Sequence, residues 1–291
     1  MTGYVQTPNH VYFLSIVHIQ FIEVKMIPKK IHYVWVGNQP KSELILKCIE
    51  SWKIHLPDYK IIEWNNEKFE KIKNKYSEQA YQNKKWAFVS DYIRLYALYH
   101  EGGVYLDSDV EITNNIDQFL HLDFFSGYEN YDGHCHPITA VMGAQVGNSI
   151  IADLLSYYEN AGFETSSGLD LETNTVRISR YFSEKFGIQA PYDGSLTTQL
   201  NERSIIYPSY YFCTPEHELE NYSIHLFNGS WCPSHSRKDK LRIFNKFIFS
   251  RFIRLRDTGE PQVTSREKIL FKIPISKNKQ YVLIIKRGGF D

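Results

Sequence analysis

Gly102-Gly103-Val104-Tyr105-Leu106-Asp107-Ser108-Asp109 is the stretch on which the reading of this chain turns. Two glycines end a long apolar helical pattern, three strand-forming residues follow, and the run closes on two aspartates one residue apart. Side chains alternate along a strand, so Asp107 and Asp109 are expected on one face. Two carboxylates held together repel unless a cation lies between them. Hard oxygen ligands suit Mg²⁺ or Mn²⁺, and such an ion can hold a diphosphate. The plain alternative is an acidic boundary between strand and turn, so the neighbouring sequence has to decide.

Immediately upstream, Lys85 to His100 reads as a helix that is apolar almost all round, which marks a buried element. Ser90, Asp91 and Arg94 form one polar stripe on it. That stripe is either an internal Asp91–Arg94 ion pair or part of a site shared with the two aspartates. Further upstream, Lys30 to Val36 (KIHYVWV) is a strand ended by Gly37-Asn38-Gln39-Pro40. Ser42 to His55 has helical spacing, and Tyr59 to Trp64 is a second strand, so the chain opens as a parallel αβ sheet. Asn66 to Asn83 is polar and helix-like. Downstream, strands are expected at Phe124–Tyr131, Thr139–Val146, Ile205–Phe212 and Ser223–Phe227, and helices at Ser149–Gly162 and Asn174–Phe186. His134-Cys135-His136 places two histidines together but lacks the three or four ligands of a zinc site. It reads as a surface loop.

The chain has 291 residues, 43% hydrophobic, enough for one large domain with appendages or two small ones. Its formal net charge is zero, so no global field favours nucleic acid as a partner. Cys48, Cys135, Cys213 and Cys232 are scattered without a Cys-x-x-Cys pair, and are expected to be reduced thiols of a cytoplasmic protein. No segment reaches the roughly 18 uninterrupted apolar residues of a spanning helix. Val11 to Val24 is short, interrupted by polar residues, and lacks the basic start of a signal peptide. Residues 1–26 are therefore an N-terminal extension, either upstream of a native start at Met26 or an extra element packed on the domain.

KIHYVWVG, WAFVSDYIRLYALYHEGGVYLDSDV and IHLFNGSW together resemble the signature blocks of a family of DXD-type sugar transferases. That family includes bacterial capsular-polysaccharide transferases and yeast initiating mannosyltransferases, with the clostridial glucosylating toxins as distant relatives. The resemblance runs from about Ile27 to Trp231. It implies a GT-A fold, an α/β architecture with a Rossmann-like mixed sheet flanked by helices, spanning residues 27–232. It also implies that Trp35 stacks on the donor's base, and that Ser90, Asp91 and Arg94 lie at the donor sugar. Asp107 would touch ribose or sugar and assist the metal, Asp109 would ligate Mn²⁺ or Mg²⁺, and His225, Ser230 and Trp231 would close over the diphosphate, with His225 as a metal ligand. The catalytic group would be Asp107, Asp109 and Arg94. For Trp35 and His225 the alternative is an ordinary place in the core.

The resemblance further implies a retaining transfer of a hexose from a nucleotide sugar, a UDP-hexose or GDP-mannose, to a saccharide or lipid-linked saccharide in capsular or surface polysaccharide synthesis. A nucleotidyltransferase also uses paired aspartates but wants a Gly-rich phosphate loop, which KIHYVWVGNQP lacks. A catalytically silent sugar-binding protein would have no reason to keep both acids. Residues 233–291 form a basic tail. Within it, Ser234 to Asp257 carries Leu241, Phe244, Ile248, Phe252 and Leu255 at helical spacing. The expectation is a basic amphipathic helix, either packed on the domain or lying on an anionic membrane surface at the inner face of the cell membrane.

Overall fold

The computed structural model describes residues 3–7, 10–14, 22–131, 134–216, 218–228, 240–243, 246–254, 267–276 and 279–287. The chain begins with strands β1 (Gly3–Thr7), β2 (His10–Leu14) and β3 (Ile22–Lys25), an antiparallel sheet of three. There follow β4 (Lys30–Val34), α1 (Glu43–His55), β5 (Lys60–Trp64), α2 (Asn66–Ile72), α3 (Lys75–Gln82), α4 (Trp86–Glu101) and β6 (Gly103–Leu106). The middle of the chain holds β7 (Val110–Ile112), β8 (Phe124–Tyr131), β9 (His134–Ala144), α5 (Ser149–Ser156) and a small hairpin, β10 (Glu164–Thr165) with β11 (Gly168–Leu169). Next come α6 (Asn174–Phe186), β12 (Thr198–Asn201), β13 (Ser204–Tyr207), α7 (Ser209–Phe212) and β14 (Ser223–His225). The last strands are β15 (Lys240–Ile243), β16 (Lys246–Arg254), β17 (Glu267–Ser276) and β18 (Lys279–Arg287).

The central sheet has seven strands in the order β12-β13-β8-β9-β6-β4-β5. Strands β5, β4 and β6 run parallel, and β9 joins β6 antiparallel, so the sheet is mixed. Alternation along β6 divides the core: Tyr105 joins one buried cluster with α4, α5 and α6, while Val104 and Leu106 join the other with α1 and α7. Helices therefore cover both faces, and the expected α/β fold is present. Val89, Ile93, Leu95 and Leu98 of α4 have no exposed surface. Full burial of each such side chain is worth about 1.5–3 kcal/mol, so this helix is a main stabiliser of the layer behind the site.

Local chemistry sets the boundaries. Ser42 caps α1 by accepting a hydrogen bond from the Ile45 amide. The single helix expected over Asn66–Asn83 is two, because Asn74 forms a capping box with Ser77 and restarts the chain as α3. Pro208 ends β13 and opens α7, so the strand expected over Ile205–Phe212 stops at Tyr207. The Gly102-Gly103 turn is confirmed, and Gly103 is required sterically. Its φ is +111°, and a Cβ there would lie 2.8 Å from the Lys30 carbonyl oxygen.

The basic tail is a correction. Lys240–Ile243 and Lys246–Arg254 are strands of a four-stranded sheet ordered β15-β16-β18-β17, not turns of a helix. The Phe- and Ile-rich run KFIFSRFIR suits a pleated surface, and β18 pairs with it along its whole length. That partner lies too far along the chain for local spacing to reveal. The helical stripe proposed for a membrane surface therefore does not exist over these strands. The rest of the 234–257 segment lies outside the described residues. No helix among the described residues is long and apolar enough to cross a membrane.

His32 ties three elements together without any exposed surface. Its Nε2–H donates to the Gly102 carbonyl at 2.8 Å, and its Nδ1 accepts from the Trp64 indole at 3.1 Å. Both nitrogens are used by the neutral ring, and burial lowers its pKa from 6.5 to about 4. The unfolded chain thus binds this proton more readily than the fold does. Its stabilising contribution is complete above pH 6.5 and is lost as pH falls toward 4, to a total of about 3 kcal/mol. Urea unfolding of the wild type and of His32→Gln across pH 7 to 4 should show this difference in slope.

Candidate active site

Strand β6 stops at Leu106, and Asp107-Ser108-Asp109 forms a turn in which the Val110 amide donates to the Asp107 carbonyl at 3.0 Å. The two aspartates therefore do not share a strand face, as alternation predicted. They are brought together by a turn and by a distant segment. Strand β14 pairs antiparallel with β7 and sets His225 opposite Val110. The Leu226 amide donates to the Asp109 carbonyl at 3.1 Å, and the Asn228 amide donates to Asp109 Oδ2 at 2.8 Å. His225 Nε2 lies 3.6 Å from Asp109 Oδ1. As a result, one potential ligand atom each from Asp107, Asp109 and His225 falls within 4.8 Å of the others.

These donors fit a divalent cation. Two carboxylates and one imidazole give an oxygen-dominated set matched to Mn²⁺ or Mg²⁺, and three protein ligands leave positions for a bound diphosphate. The charges also invite it. Burial works against a charge on His225, but Asp109, Cys213 and Glu129 together outweigh it and raise its pKa well above 6.5. Burial likewise opposes the charge on Asp109, yet His225 and the Asn228 amide lower its pKa overall.

Behind the turn lies a second charged group. Arg94 is only 3% exposed, and its Nη2 donates to Asp107 Oδ1 at 3.0 Å. The same nitrogen is 3.4 Å from Asp91 Oδ1, while the Tyr105 hydroxyl donates to Asp107 Oδ1 at 2.8 Å. The guanidinium also stacks 4.5 Å above the Tyr105 ring. Asp91 and Arg94 of the helix stripe thus form an ion pair, and Arg94 also bonds to Asp107 of the turn. Burial, more than any neighbour, raises the pKa of Asp91 to about 6. Arg94 Nε and Nη1 are buried with no hydrogen-bond partner among the described residues, so this guanidinium has spare donors.

One residue escaped sequence reading. Asn174, the first residue of α6, is 3% exposed, and its backbone sits beside the Asp91 carboxylate, where it favours the charged form of that acid. Its Nδ2 is likewise buried without a partner among the described residues. Nothing in LETNTV distinguishes it from any polar helix start. Ser90 is half-buried, and its hydroxyl donates to the Ala87 carbonyl of its own helix at 2.7 Å. Trp35 follows β4 and is only partly buried; its indole donates to the Gln39 carbonyl at 2.7 Å, and Lys41 Nζ lies 5.6 Å from its ring. Ser230 and Trp231 lie outside the described residues. The segment expected as a His134–His136 loop lies in β9, and among the described residues the only metal-ligating group of three is Asp107, Asp109 and His225.

Arg94 is the one cation shared by two carboxylates, Asp91 and Asp107, whose side chains are 12% and 26% exposed. Arg94→Met should lower the unfolding free energy by about 3–5 kcal/mol, because it strands both acids. Chemical denaturation of the metal-free protein measures it, and a loss below about 1 kcal/mol would mean that the acids are solvated.

Residues 42–125 match the family described as "Glycosyltransferase sugar-binding region containing DXD motif". The chain is 32% identical over 102 residues to inositol phosphoceramide mannosyltransferase 3 of Schizosaccharomyces pombe (strain 972 / ATCC 24843). That match covers 33% of this chain and 28% of the yeast protein. Among solved structures, the PaToxG glycosyltransferase matches 45% of this chain and 60% of its own, with a TM-score of 0.36 and 23% identity. A glycosyltransferase involved in glycosylating the major capsid of PBCV-1 matches 68% of this chain and 93% of its own, with a TM-score of 0.39 and 14% identity. The matched segment runs from α1 through the Asp107–Asp109 turn to the start of β8, and the chain spans less than a third of the length of the yeast relative.

Proposed function

We propose that the protein is a divalent-metal-dependent, retaining glycosyltransferase that moves a hexose from a nucleoside-diphosphate sugar to a saccharide acceptor. The observation that carries this reading is the joining of two sets of groups at one turn. Asp107, Asp109 and His225 form a three-ligand cluster. Arg94, with two unused donors, bonds directly to one of those acids. Residues 27–232 are the catalytic domain in this proposal, and residues 1–26 and 233–291 are appendages.

Each group then has a task. Trp35, at the carboxyl end of β4, offers an aromatic surface to the base, where nucleotides bind in open α/β sheets. Arg94 and Asn174 turn their free N–H groups to hydroxyls of the hexose, and Asp91 accepts from one of them. A divalent ion held by Asp107, Asp109 and His225 supplies charge neutralisation for the departing diphosphate. Arg94 adds fixed positive charge that needs no rearrangement during reaction. The acceptor hydroxyl attacks the anomeric carbon on the face the phosphate leaves, and a phosphate oxygen takes its proton. The anomeric configuration is kept, and no protein nucleophile is required.

For the donor we propose a UDP-hexose or GDP-mannose, and for the acceptor a saccharide or lipid-linked saccharide of a cell-surface polymer. The name of the Schizosaccharomyces relative points to mannosyl transfer onto a lipid for that protein. Such acceptors would place the reaction at the cytoplasmic face of a membrane.

A panel of nucleotide sugars incubated with Mn²⁺ and scored for slow hydrolysis without acceptor tests the reading. One donor should be cleaved well above the rest. Asp109→Ala should lower that rate on the order of 100-fold or more while the fold persists; full activity in that variant, or in excess chelator, sinks the metal requirement. Trp35→Ala should weaken calorimetric binding of the free nucleoside diphosphate by about 1–3 kcal/mol, and unchanged affinity would return Trp35 to a packing role.

A further inference from the structure

The imidazole of His225 stands between two carboxylates that approach different nitrogens. Nε2 faces Asp109 Oδ1 at 3.6 Å, and Nδ1 faces Glu129 Oε2 at 3.7 Å. Glu129 belongs to β8, in the central sheet, whereas Asp109 lies in the turn before β7. Glu129 is not one of the residues whose ligand atoms cluster with Asp107 and Asp109. Its side chain is only 23% exposed, and its carboxylate faces a buried nitrogen that has no hydrogen-bond partner among the described residues. The His225 backbone is fixed separately, its amide donating to the Cys213 carbonyl at 3.0 Å. The ring alone is left to be oriented.

A neutral imidazole has one N–H and one lone pair. If the hydrogen is on Nε2, it points at Asp109 and the ring cannot ligate from that side. If it is on Nδ1, the lone pair of Nε2 faces the two aspartates. Nothing on the Asp109 side favours the second arrangement, because a carboxylate there would rather receive a hydrogen. We propose that Glu129 is a positioning residue that accepts the Nδ1–H of His225, so that Nε2 is presented to the cation. The 3.7 Å separation is a little beyond hydrogen-bond length and closes with a small turn of either side chain. Carboxylates in this outer place commonly fix the tautomer and raise the basicity of a ligating histidine.

This inference rests on the metal reading above, and its test separates the two. Mn²⁺ alone is titrated into the wild type, Glu129→Ala and Glu129→Gln, with free ion followed by electron paramagnetic resonance. Glu129→Ala should bind Mn²⁺ about 10–100-fold more weakly, and Glu129→Gln, whose amide oxygen still accepts, should lose less. Unfolding midpoints of the metal-free variants should match the wild type. Wild-type affinity in Glu129→Ala overturns the proposal. Imidazole ¹⁵N spectra of the Mg²⁺-loaded wild type give a second reading that needs no variant. A proton on Nδ1 of His225 supports the assignment, and a proton on Nε2 overturns it. Asp109→Ala and His225→Ala serve as the control: if both bind Mn²⁺ like the wild type, the cation lies elsewhere and both proposals fall.

Discussion

One guanidinium, almost wholly withdrawn from water, is shared by two acids. Arg94 touches Asp107 at 3.0 Å and Asp91 at 3.4 Å, and it lies flat on Tyr105. A single positive charge cannot satisfy two carboxylates in a medium of low dielectric, so the group keeps a residual negative charge. That residue of charge faces the turn where Asp109 and His225 also arrive. Everything else in the fold serves to hold this imbalance in place. Helix α4 anchors Arg94 and Asp91 with buried Val89, Ile93 and Leu95, strand β6 delivers Asp107, and His32 locks the junction between them through the Gly102 carbonyl. In the proposed function, electrostatic tension that would destabilise an ordinary core is what draws a cation and sugar hydroxyls to this position.

Much of this could be read from local pattern. The apolar run of α4, the glycine pair after it and the acid-containing end of β6 all follow from periodicity and turn chemistry, and they place Asp91, Arg94, Asp107 and Asp109 within one supersecondary unit. The resemblance carried by IHLFNGSW extends that reading to His225. What stayed hidden has a common cause. Glu129 and Asn174 act on His225 and Asp91 through contacts between elements far apart in the chain, and nothing in their own neighbours announces it. The turn at Asp107–Asp109 has the same one-residue spacing as strand alternation, so local pattern does not separate the two. Over KLRI and KFIFSRFIR a helical stripe and a strand alternation coincide, and pairing with β18 is what makes the second run a strand.

The two faces of the central sheet divide the work. On the side of α4, α5 and α6, aromatic and aliphatic packing surrounds Asp91, Arg94 and Asn174, and it keeps water from the groups assigned to the sugar. On the side of α1 and α7, Val110, Phe212, Cys213 and Tyr222 pack beneath the ribbon that carries His225. Loss of packing on the first face would disturb what the site recognises, and loss on the second would disturb what it ligates.

The ribbon itself has a bearing on how the molecule comes into being. Asn228, which donates to Asp109, lies 119 residues beyond it. During synthesis, the acids at the end of β6 leave the ribosome long before the imidazole that completes their set. The early sheet must therefore close on apolar packing and on Arg94, without help from an ion. On the proposed metal reading, a cation would meet its full set of ligands only after the chain has returned to pair β14 with β7, so its capture would come late in biogenesis rather than act as a template.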